Sequence, residues 1–131
     1  MTHPDIMIVD DDLLVREISS SLLADAGYRV VTVEDSFEAV ALIRKNKPKL
    51  VIVDIMMPGV TGMDICKSIK TDPELRHIKV VVCSAKCQEA EKHRAYRLGA
   101  DYYLQKPYNV ESYTRTVKGV LEGKLAGGHR H

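Results

Sequence analysis

Five short apolar runs punctuate the chain: Ile6-Met7-Ile8-Val9, Val30-Val31-Thr32-Val33, Leu50-Val51-Ile52-Val53, Ile78-Lys79-Val80-Val81-Val82-Cys83 and the weaker Tyr102-Tyr103-Leu104. The first four are rich in β-branched residues and mostly continuous, the pattern of strands covered on both faces of a parallel sheet. Helical periodicity fills the intervals. Leu14, Ile18 and Leu22 recur at i, i+4 and i+8 over residues 13–26, which predicts an inward apolar stripe with Gly27 as the stop. Asp35 with Glu38 reads as a capping box ahead of Ala39, Leu42 and Ile43, in a helix that ends before Pro48. Short helices are expected over 63–70 and 88–98. Asn109 can cap a last helix that turns Val110, Tyr113, Val117 and Val120 or Leu121 inward.

Strand and helix alternate five times. Right-handed crossovers then give an α/β, flavodoxin-like, doubly wound (βα)5 domain with helices on both faces and strand order 2-1-3-4-5. Residues 1–122 form this domain, and residues 123–131 read as a flexible tail, a linker or an expression remnant. In such a sheet ligands bind at the carboxyl ends of the strands, at the switch point between strands 1 and 3.

The residues at those ends carry the chemistry. Asp10, Asp11 and Asp12 follow the first strand, Asp54 ends the third, Ser84 ends the fourth and Lys106 follows the fifth. Singly, each has a plain structural role: the triplet can cap a helix, Lys106 can be a solvated surface lysine, and Ser84 a strand-end hydroxyl. Asp54 needs no capping role, because a Met-Met-Pro-Gly turn follows it. Three carboxylates at one edge repel one another and call for a cation, and all-oxygen donors suit Mg²⁺, with Mn²⁺ an acceptable substitute. Asp54 is the candidate nucleophile for a phosphoryl group, with Lys106 and Ser84 placed to neutralise and hydrogen-bond it.

Four stretches then resemble the receiver domain of a two-component response regulator. They are Ile8-Val9-Asp10-Asp11-Asp12; Val53 through Gly59 with Gly62; Val82-Cys83-Ser84-Ala85; and Gly99 through Pro107. The resemblance implies that Asp54 accepts phosphate from a sensor histidine kinase or phosphotransfer protein. It implies that Asp10, Asp11 (directly) and the backbone carbonyl of Met56 hold Mg²⁺ beside Asp54. Ser84 and Tyr103 would form the switch pair, Lys106 would pair with the phosphoryl group, and Pro107 would follow a cis peptide bond. The responsive face would be the fourth helix, fifth strand and fifth helix, meeting an output domain, a target protein or a phosphorylation-dependent second copy. Met56 and Lys86 stand where this family tunes phosphate lifetime. An apolar Met56 cannot orient water, so fast self-hydrolysis is not expected. A cytoplasmic setting follows from the same likeness.

Composition narrows the alternatives. Lys plus Arg is 19 against 18 for Asp plus Glu, which argues against a dedicated nucleic-acid binder. The near-balance conceals a division: residues 1–64 hold 11 acids and 6 bases, and residues 65–131 hold 7 acids and 13 bases. The basic half includes Lys92, His93, Arg94 and Arg97 on the fourth helix, where an exposed Tyr96 would favour a partner surface. No run approaches the ~20 residues of a membrane helix, and no signal peptide is visible. Three cysteines suggest a reducing compartment, with Cys83 buried and Cys66 on a helix face. An aspartyl-phosphate-forming hydrolase usually carries a second acid two residues after its nucleophile, where this chain has Met56. A flavodoxin-like FMN carrier would need a hydroxyl- and Gly-rich loop in place of the three aspartates. An interaction-only receiver would not need the full set Asp10, Asp11, Asp54, Ser84 and Lys106.

Overall fold

The computed structural model describes residues 3–85, 88–106 and 110–124. Pro107, Asn109, Lys86, Cys87 and the chain from 125 onward lie outside the described residues. The elements follow in order: β1 (Ile6–Val9), α1 (Leu13–Asp25), β2 (Val30–Val33), α2 (Ser36–Asn46), β3 (Leu50–Asp54), α3 (Gly62–Lys70), β4 (Lys79–Ser84), α4 (Glu89–Arg97), β5 (Tyr102–Gln105) and α5 (Val110–Leu121). All strand pairs are parallel, in the order β2-β1-β3-β4-β5. The doubly wound sheet expected from the sequence is therefore present.

The period of two along each strand divides the core. Met7, Val9, Val51, Val53, Val80 and Val82 point to one face, where Ala39 and Ile43 of α2 and Ile65 and Ile69 of α3 cover them. Ile6, Ile8, Leu50, Ile52, Val81 and Cys83 point to the other, against Leu23 of α1 and Tyr113, Val117 and Val120 of α5. Burial on both faces is what makes the β1, β3 and β4 runs continuously apolar. Each such side chain contributes about 1.5–3 kcal/mol relative to exposure.

The edge strand β2 departs from expectation. Val31 is 37% exposed and Thr32 is exposed, and these consecutive residues point to opposite faces; Val33 packs on one core cluster and Val30 on the other, so each face of this run is only partly covered. Its β-branched composition serves pairing with β1 more than two-sided burial.

The larger correction concerns α1. Leu13, Leu14 and Ile18 are exposed, at 59%, 64% and 51%, whereas Arg16, Ser19 and Leu23 are buried. The apolar stripe read at i, i+4, i+8 therefore faces outward, with Leu22 at its margin. The helix phase is set by polar anchors. Asp12 accepts the N–H groups of Leu14 and Val15 at 2.9 and 3.3 Å, and Arg16 reaches back to the Asp10 carbonyl.

Other local signals hold. Asp35 caps α2 through the Phe37 N–H, and Lys47 closes that helix in the left-handed region before Pro48. The reciprocal capping box forms at α3 instead, between Thr61 and Asp64. Gly62 has no room for a side chain, because a Cβ there would overlap the Asp54 carbonyl oxygen. Cys66 and Cys83 are both buried, and burial pushes the Cys66 thiol up to about 11, which keeps it protonated and unreactive.

The reversed phase of α1 yields a direct comparison. Leu23→Ala should cost about 2–5 kcal/mol, while Leu14→Ala should change stability by about 0.5 kcal/mol or less. Urea unfolding of the two variants checks this, and equal losses would contradict the outward stripe.

Candidate functional site

The site is assembled at the carboxyl edge of the sheet, where β1 and β3 lie side by side and their connections leave in opposite directions. Asp10 directly follows β1, and its N–H donates to the Val33 carbonyl at 3.1 Å, extending the ladder by one bond. Asp54 is the last residue of β3, in register with Cys83 of β4. Oxygens of Asp10, Asp11 and Asp54 lie within 4.8 Å of one another. Asp10 and Asp54 are buried, at 3% and 8% exposure, and Asp11 is open to solvent.

Lys106, just past β5, enters between the two buried carboxylates. Its Nζ stands 3.0 Å from Asp10 Oδ2 and 3.0 Å from Asp54 Oδ2. Its own N–H donates to the Ser84 carbonyl at 2.8 Å, so β4 positions the base of this side chain. On the other side of Asp54, the Met56 N–H donates to Oδ1 at 3.0 Å and holds the carboxylate plane. The Asp10 carboxylate also accepts the Asp12 N–H at 3.0 Å.

The two ends of the Asp10–Lys106 pair shift in the same direction. Burial raises Asp10 above the ordinary carboxylate range, with the nearby Asp54 charge adding to it. The Asp12 N–H and Lys106 oppose that rise without cancelling it. Burial pulls Lys106 down, but its hydrogen bonds to Asp10 and Asp54 outweigh this and raise it. One ammonium thus serves two carboxylates.

The sequence-derived set is brought together as Asp10, Asp11, Asp54 and Lys106. Ser84 is fully buried at the adjoining strand end, paired in register with Gln105. Tyr103 is 9% exposed and packs with the face covered by α2, α3 and α4, while Tyr102 leans to the opposite face. Tyr96 is half-buried, not exposed: its hydroxyl accepts the Tyr103 N–H at 3.1 Å and so ties α4 to β5. Met56 projects its side chain to solvent at 51% exposure. Pro107 falls outside the described residues. One participant was missed in the sequence, and the reason for another, Gly62, was not visible there. Arg16, on the inward face of α1, was masked by the more regular leucine spacing beside it. The close packing at Gly62 is visible only once α3 is seated under Asp54.

A doubly wound sheet of order 2-1-3-4-5, with an acidic trio and one ammonium at its carboxyl edge, defines a receiver-type module. Residues 6–118 match the family model described as the response regulator receiver domain, and the chain belongs to that family. It is 33% identical over 116 residues to the polar-differentiation response regulator DivK of Brucella anthropi, covering 88% of this chain and 94% of that protein. Among solved structures, it resembles the chemotaxis protein CheY4 of Vibrio cholerae, with a TM-score of 0.84, 28% identity and coverage of 91% and 99% of the two chains. It also resembles the receiver domain of a signal transduction histidine kinase from Syntrophus aciditrophicus, with a TM-score of 0.83, 30% identity and coverage of 92% and 91%.

The raised Asp10 carries a pH signature. The folded state keeps a proton on this group at pH values where the unfolded chain has lost it. The charged form therefore costs stability, and that cost sets in as pH rises from the ordinary value of 3.8 through the raised one. Without divalent cations, Asp10→Asn should melt above wild type at pH 7, and the gap should narrow as the pH falls toward the ordinary Asp range. Thermal melts across pH check this, and a gap that widens on acidification would count against it.

Proposed function

We propose that this receiver domain is a phosphoacceptor switch in two-component signalling. Asp54 is the acceptor, and a sensor histidine kinase or phosphotransfer protein is the donor. One Asp54 carboxylate oxygen attacks phosphorus, the P–N bond of phosphohistidine breaks, and its electron pair returns to the imidazole. The observation that carries this reading is the carboxylate trio within 4.8 Å, with Lys106 already spanning Asp10 and Asp54.

Asp10, Asp11 and Asp54, with the Met56 carbonyl, would hold Mg²⁺ or Mn²⁺; the all-oxygen donor set fits such an ion. When bound, the ion neutralises phosphoryl oxygens during transfer. Lys106 supplies the fixed positive charge on the other side. The Met56 N–H orients the Asp54 carboxylate. The exposed Met56 side chain offers no acid or base to direct a water. This favours a long-lived modification over hydrolase turnover, so the chain is read as a switch that catalyses only its own modification.

Ser84 and Tyr103 form the proposed switch pair. The Tyr103 N–H on the Tyr96 hydroxyl supports transmission to α4, since a shift of β5 there loads that helix directly. The α4–β5–α5 face would meet an output domain, a target protein or a second copy of the chain. Leu13, Leu14 and Ile18 on the first turns of α1, with Met56 beyond Asp54, leave large apolar groups exposed around the acidic edge. They support docking of an apolar donor surface over the acceptor. Residues 1–122 are the proposed signalling unit, working in the cytoplasm without direct binding to nucleic acid or membrane.

Intact-mass measurement after treatment with acetyl phosphate and Mg²⁺ tests the reading. Wild type should gain one phosphoryl group and Asp54→Asn none, and EDTA should abolish the gain. An unmodified wild type would overturn the proposal. The phosphorylated species should persist well beyond a few seconds; loss within that time would contradict the role given to Met56.

A further inference from the structure

α1 turns a cation toward the sheet where an apolar residue would ordinarily lie. Arg16 is 8% exposed, and its guanidinium Nη1 donates to the Asp10 carbonyl at 2.8 Å. Nη2 lies 3.6 Å from Glu34 Oε2, just past the end of β2. Burying a guanidinium is costly unless its hydrogen bonds are satisfied. This one is committed to the backbone of the residue that leads into the acidic trio.

The rest of Asp10 is equally committed. Its N–H goes to Val33, and its carboxylate goes to Asp12 and Lys106. The carbonyl held by Arg16 belongs to the peptide joining Asp10 to Asp11. Rotation of that peptide plane would swing the Asp11 carboxylate, which is exposed. A lysine could not reproduce the arrangement, because its point charge lacks the planar fork that meets the carbonyl and Glu34 together.

We propose that Arg16 is a positioning residue for a divalent-cation site: it fixes the Asp10–Asp11 peptide so that the oxygens of Asp10, Asp11 and Asp54 converge. This inference rests on the reading of that trio as a cation site. Glu34 orients the guanidinium from its outer side and, being largely exposed, matters less. Charge and geometry make opposite forecasts. As a bare positive charge near the site, Arg16 would repel a cation, and its removal would tighten binding. As a geometric anchor, it would weaken binding when removed.

Calorimetric titration of MgCl₂ into the full chain distinguishes them, alongside thermal melts in EDTA. Arg16→Lys and Arg16→Met should both bind Mg²⁺ about tenfold more weakly, as expected when a group that orients a metal ligand is lost. Glu34→Gln should show a smaller loss. Leu23→Ala, on the same buried face, should lower the melting temperature while leaving Mg²⁺ affinity near wild type. Unchanged or tighter binding by a folded Arg16 variant would overturn the proposal. So would an equal loss in Leu23→Ala, which would reduce Arg16 to a general packing role. If wild type itself bound no Mg²⁺, the cation-site reading would fail, and this inference with it.

Discussion

The Lys106 ammonium between the Asp10 and Asp54 carboxylates is the interaction on which the site depends. Two buried acids at the ends of adjacent strands would repel each other at close range, in surroundings where water screens poorly. A single cation carried in from the far side of the sheet lets both remain at the surface of the core. Because that cation comes from β5 and its targets from β1 and β3, the contact closes only when the strand order is complete. The same arrangement leaves the trio under-compensated, with three carboxylates to one ammonium. That deficit is the physical basis for expecting a further cation.

Around this contact the backbone is clamped at several points. Asp12 caps α1, the Met56 N–H fixes the plane of Asp54, and α3 packs so closely under β3 that only glycine fits at position 62. Arg16 draws α1 against the end of β1. Phosphoryl chemistry of the proposed kind asks little of a protein besides position and charge. Clamps on both sides of the acceptor serve that requirement, since the core beneath them is rigid and closely packed.

The distribution of charge follows from the same topology. The acidic half of the chain builds β1, β2 and β3, and the basic half builds β4, α4, β5 and α5. The switch point between β1 and β3 is therefore negative, while α4 presents Lys92, His93, Arg94 and Arg97. Lys106 is the member of the basic half that crosses to the acidic side. The Tyr96–Tyr103 hydrogen bond joins the α4 surface to β5, the strand that leads directly into Lys106. Changes at the acidic edge thus have a short covalent and hydrogen-bonded route to the basic face.

The sequence by itself determined the strand runs, their order of use and the placement of Asp10, Asp11, Asp54, Ser84 and Lys106 at the carboxyl edge of the sheet. Buried parallel strands must be continuously apolar, and polar groups at their ends then stand out against that background. Tertiary structure decided what periodicity could not. Leu13, Leu14 and Ile18 of α1 face outward because Asp12 and Arg16 set the rotation of the helix through hydrogen bonds to a backbone corner that a linear pattern does not show. Val31 and Thr32 of β2 are open because that strand lies at an edge, a property of its neighbours and not of its composition. Tyr96 turns inward to serve the Tyr103 backbone across a contact between α4 and β5. In each case a polar partner distant in space, or the absence of a covering layer, outweighed the local hydrophobic pattern, and those are quantities that exist only after the chain has folded.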